Sequence, residues 1–119
     1  MTLITSAQRT QLLVNGAAQR AAIDNGFNAL DFHPVVKLVT PDAQATWLLV
    51  ELDPDDEDLA FGLCDLGLGE PELGYVRLSE LATVRGRLGL PAERDECFVA
   101  DRPLADYAEL ARDRRLIVT

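Results

Sequence analysis

The chain has 119 residues, 48% hydrophobic and 26% charged, with a formal net charge of -9. That length holds one domain with one modest core, and its supply of Leu, Val, Ile and Phe argues against disorder. No run approaches the roughly 18 apolar residues that span a bilayer, and the start, Met1 to Ser6, lacks the basic and apolar regions of a signal peptide. The expected location is the cytoplasm.

Along the chain, Thr5-Ser6-Ala7-Gln8 fits a capping box, with the cap at Thr5 and Gln8 three residues on. A helix over residues 6–15 is expected to stop at Asn15-Gly16, because glycine takes the left-handed cap conformation cheaply. A shorter helical stretch over 17–23 then ends at Asn25-Gly26. Residues 24–34 read as a loop that closes on His33-Pro34.

The middle is β. Val35 to Thr40 is rich in β-branched residues and stops at Pro41, and Thr46 to Leu52 follows about five residues later as the second arm of a hairpin. Asp53 to Asp58 reads as an acidic loop, Leu59 to Asp65 as a third strand, residues 66–74 as a glycine-rich loop and Tyr75 to Leu78 as a fourth strand. Ser79 opens a helix to about Arg85, Glu96 to Ala100 is a fifth strand, and Pro103 starts the last helix. On that helix Leu104, Tyr107, Ala108 and Ala111 fall at i, i+3, i+4 and i+7, which is one apolar face. Ile117-Val118 is an edge strand or a tail. Consecutive strands flanked by helices predict an α+β fold, a mostly antiparallel meander with helices at both ends packed on one face. The expected core comprises Trp47, Leu49, Phe61, Leu63, Cys64, Val84, Phe98, Leu104 and Tyr107, with Cys64 and Cys97 as unreactive thiols in strands.

Charge is the strongest functional signal. Residues 38–76 hold ten acids and no Lys or Arg, while the remainder holds ten acids against eleven bases. Asp53, Asp55, Asp56, Glu57, Asp58, Glu70 and Glu72 are therefore candidate contacts for a basic protein surface, and direct nucleic-acid binding is disfavoured because it needs a net positive stripe. The acids do not match an EF-hand, where Gly would stand at the place of Asp58. Since the two ends of an antiparallel strand lie far apart, Asp53 to Asp58 and the glycine-rich loop should emerge at opposite ends of the sheet. No metal and no cofactor is expected. Gly67-Leu68-Gly69-Glu70-Pro71 lacks the Gly-Lys-Ser/Thr of a phosphate loop. His33, the one histidine, stands in no nucleophile motif. The alternative is a small enzyme or ligand-binding domain, with Asp65, Glu70, Glu72 and His33 around the glycine-rich loop.

The stretches Val35-Val36-Lys37-Leu38, Thr40-Pro41-Asp42-Ala43, Ala45 to Leu49, Glu51 to Pro54, Ala60 to Gly69 and Pro71 to Val76 together resemble the bacterial domain-of-unknown-function family number 2958. The likeness continues through Leu78 to Leu81, Arg85-Gly86, Leu90-Pro91 and Asp101 to Leu104, covering about residues 35–110. The family carries no established reaction to transfer onto these residues. The resemblance implies a setting on plasmids and other mobile elements, and with it a role such as defence evasion by nucleic-acid mimicry.

Overall fold

The computed structural model describes residues 3–119; Met1 and Thr2, the start of the segment read for a signal peptide, lie outside them. Among the described residues the elements run α1 (Ser6–Asp24), β1 (Val36–Val39), β2 (Thr46–Asp53), β3 (Asp56–Asp65), β4 (Glu72–Arg77), α2 (Leu78–Leu81), β5 (Glu93–Arg94) and α3 (Leu104–Arg114). The strands form one antiparallel sheet in the order β4-β3-β2-β1-β5. The α+β class and the meander therefore stand, and among the described residues no helix is long and apolar enough to cross a membrane.

The helices divide between the two faces, where packing on one face was expected. Adjacent residues of a strand point to opposite sides, and β2 is apolar on both: Trp47 and Leu49 join Leu12 of α1 and Leu81 of α2 in one core. Leu48 joins Leu63 and, from α3, Leu104, Tyr107 and Ala111 in the other. Of the expected core, Trp47, Leu49, Leu63, Leu104 and Tyr107 are buried, while Phe61, Cys64, Val84 and Phe98 are only half-buried.

Several boundaries differ from expectation for local reasons. The capping box at Thr5 forms in full, but α1 runs straight through Asn15-Gly16. Both residues are buried where the helix crosses β2, and a Cβ on Gly16 would lie 1.8 Å from the Leu52 carbonyl oxygen. Glycine here permits close approach, not termination. The acidic loop contracts to a turn at Pro54-Asp55, so Asp56, Glu57 and Asp58 belong to β3. α2 is a single turn capped at Arg77, not a helix opened by Ser79. The fifth strand is Glu93–Arg94 on the outer side of β1. Residues 96–100 are turn and coil, which leaves Cys97 exposed and free. Cys64 lies half-buried in β3, and burial, aided by the nearby Glu72 charge, pushes its thiol pKa up. Residues 117–118 form a tail, not a strand.

Candidate functional site

The sheet carries a β-bulge that decides what lies on its α3 face. In the β2–β3 ladder Leu49 opposes Gly62, but Glu51 opposes Phe61, so Val50 is the extra residue. Regular pairing would have placed Glu51 opposite Ala60, toward the core beneath α1. The bulge instead turns Glu51 to the other face, in a lateral row with Phe61 and Tyr75 across three strands. The Phe61 and Tyr75 rings meet edge to face with centroids 4.9 Å apart.

The bulge is held by α1. β1 begins opposite Leu49, so among the described residues the rest of β2 has no strand on that side. α1 fills the gap: Asn15 Nδ2 donates to the Val50 carbonyl oxygen at 2.8 Å, and Gln11 donates to Asn15 Oδ1 at 2.8 Å. One turn further on, Gln19 clasps the backbone of Leu30, donating to its carbonyl oxygen at 3.0 Å and accepting from its N–H at 2.8 Å. Leu104 N–H donates to the Phe32 carbonyl oxygen at 2.8 Å, and Ala105 N–H to Asp31 Oδ1 at 3.1 Å. Asp31 thereby serves the start of α3, where Pro103 supplies no side-chain cap.

These contacts frame an open groove of about 400 Å³. Its floor is the row Glu51, Phe61 and Tyr75, and its walls include Gln19, Leu30 and Phe32. Glu51 accepts one long hydrogen bond, from Gln19 Nε2 at 3.4 Å. Burial raises its pKa above the ordinary carboxylate value; the Gln19 contact opposes that shift and the Asp53 charge adds to it. Sequence reasoning counted Glu51 among the acids without singling it out. The available signal was its position as the lone charge in the apolar run from Trp47 to Leu52.

The acids chosen from sequence behave differently from one another. Arg20 bridges Asp53, at 3.1 Å, and Asp55. Arg77 pairs with Asp56 at 2.9 Å and approaches Asp58 at 3.8 Å. Asp58 also accepts from the Ser79 N–H at 2.9 Å and from its hydroxyl at 2.6 Å. The Arg77 contact, with the Asp58 N–H, lowers the Asp56 pKa, and the Ser79 contacts lead in lowering that of Asp58. Glu57, Glu70 and Glu72 are exposed, and among the described residues their side chains make no ion pair or hydrogen bond. As expected, the Pro54-Asp55 turn and the glycine-rich loop lie at opposite ends of β3.

The glycine-rich loop does not gather the remaining acids. Asp65 is buried, its Oδ1 accepting from Gly67 N–H at 2.8 Å and its Oδ2 from Ile117 N–H at 3.0 Å. It ties the loop to the C-terminal tail. A depression of about 430 Å³ holds Asp65 beside Arg115, whereas Glu72 borders a separate one with Arg112. Exposed His33 borders neither. Among the described residues no three His, Cys, Asp or Glu side chains come together as a metal site.

No curated protein and no solved structure matches the chain. The family described as "Protein of unknown function (DUF2958)" matches residues 3–118, extending the likeness seen from about 35–110 to nearly the whole chain. The chain belongs to this family.

Proposed function

We propose that the protein is an interaction module that docks onto a basic protein surface in the cytoplasm. In this reading it serves a mobile genetic element by offering a host nucleic-acid-binding protein a substitute for its ligand. The observation that carries the reading is the set of exposed carboxylates Glu57, Glu70 and Glu72, which form no ion pair among the described residues. They sit on a segment with ten acids and no base, within a chain of net charge -9. Asp53, Asp55, Asp56 and Asp58 add negative potential at longer range but are individually engaged by Arg20, Arg77 and Ser79. Complementary fields of this kind speed association and make it sensitive to salt.

The test is binding of the full chain to purified nucleic-acid-binding domains that present a basic face, at low and high salt, with duplex DNA as competitor. Capture at low salt that is lost at high salt, displaced by DNA and weakened in the triple variant Glu57→Gln, Glu70→Gln, Glu72→Gln supports the reading. Absence of capture at low salt, or capture indifferent to the triple variant, overturns it.

A further inference from the structure

From the groove on the α3 face we infer that the protein accepts an arginine side chain of its partner, with the guanidinium on Glu51 and its stem between Tyr75 and Leu30. The inference rests on the reading of the partner as a basic protein and adds to it a specific anchor point.

Charge complementarity selects the occupant. Among the described residues the groove is lined by two acids, Glu51 and Asp31, and by no base. Asp31 is exposed to water, and its Oδ1 accepts from the Ala105 N–H at the start of α3. Arg20, one residue beyond Gln19, is committed to Asp53 and Asp55. Glu51 is thus a half-buried carboxylate that forms no ion pair among the described residues and receives one long hydrogen bond. Its raised pKa has the same origin, a charge partly withdrawn from water without a cation beside it. A guanidinium supplied there would turn that desolvation into a close, charge-assisted contact.

The walls favour arginine over other cations. A guanidinium is planar, binds a carboxylate with two parallel donors and stacks on aromatic rings, whereas an ammonium is compact and strongly hydrated. Phe61 is half-buried beside Glu51, and Tyr75 is 69% exposed, leaving ring surface uncovered. Ile23, Leu30 and Leu73 on the rim are also exposed. A free small amine would leave that rim wet, while an arginine within a peptide covers it with flanking residues. The volume of about 400 Å³ falls within the range of roughly 300–1,000 Å³ typical of small-ligand sites. The walls are set in advance by the Gln19–Leu30 clasp and the Leu104–Phe32 hydrogen bond.

The experiment titrates the full chain with acetylated, amidated Leu-Arg-Leu and Leu-Gln-Leu peptides while carbon NMR follows the Glu51 carboxyl and the Tyr75 ring. The arginine peptide should shift both signals, lower the Glu51 pKa and bind about tenfold or more tightly than to Glu51→Gln, as loss of a charge-assisted hydrogen bond predicts. Tyr75→Ala, a change at an exposed ring, should weaken binding with the fold intact by circular dichroism. Equal binding of both peptides, or no shift at Glu51, overturns the inference. The same variants are run against the basic domains above. If those domains bind equally to wild type and Glu51→Gln, the anchor fails and the wider reading survives. If the arginine peptide shifts Glu51 but no basic domain binds, the wider reading fails and the arginine site stands.

Discussion

Two glycines that face each other across β3 and β4 separate steric need from conformational convenience. Gly62 pairs with Gly74 in the ladder. A Cβ on Gly62 would lie 2.0 Å from the Leu48 carbonyl oxygen, whereas one on Gly74 meets nothing within 4 Å. Gly62→Ala should therefore force backbone apart next to the bulge, at a cost toward the upper end of about 1–3 kcal/mol. Gly74→Ala should be neutral or stabilising by up to about 1 kcal/mol, since alanine restricts the unfolded chain more than glycine does. Urea denaturation of the two variants checks this, and equal effects would contradict the close approach at Gly62.

At the scale of elements, α1 replaces a missing strand. Just beyond the start of β1, the side chain of Asn15 supplies the donor that the Val50 carbonyl would otherwise take from a neighbouring strand. Asn15 is 7% exposed, so water is a poor substitute. Asn15→Ala should cost about 1–3 kcal/mol, the penalty for a buried acceptor left without a donor. Asn15→Asp should cost more, because it sets a carboxylate against a carbonyl. Gln19 rides on the same helix and holds the groove wall through Leu30, so the alanine variant should also speed hydrogen exchange at the Leu30 amide. Unchanged exchange there would mean that the wall does not depend on the seating of α1.

Across the whole molecule, the acidic third is partly neutralised from outside itself. Arg20 and Arg77 both flank residues 38–76 in sequence and fold back onto their acids. The Asp56 carboxyl, held below its usual pKa of 3.8 chiefly by Arg77, lends stability that is present above that value and lost as pH falls through the lower folded value. Arg77→Gln should thus be less stable than wild type at neutral pH, by the small amount usual for exposed pairs. The difference should narrow as pH drops below about 4. Urea midpoints measured from pH 7 to pH 2 check the sign, and a gap that widens on acidification would refute it.

Most strand and helix types were legible because they follow local periodicity, but Glu96 to Ala100, read as a strand, is turn and coil, and the helix read from Ser79 to Arg85 is one turn. The capping box at Thr5, the β-branched run of β1, the apolar stripe of α3 and the spread of acids to both ends of β3 all form as read. The sequence by itself also determined the charge asymmetry and the family likeness. What only the tertiary structure decided were the long-range relations. Asn15-Gly16 reads locally as a helix stop and serves as the crossing point on β2, because closeness to Leu52 depends on a partner 36 residues away. Asp53 to Asp58 reads as a free acidic loop, yet four of its acids find Arg20, Arg77 or Ser79. The face on which Glu51 lies follows from one extra residue in β2. A strand alternates with a period of two, so a bulge at Val50 reverses the faces of Glu51 and Leu52, and the residues that hold the bulge come from another element.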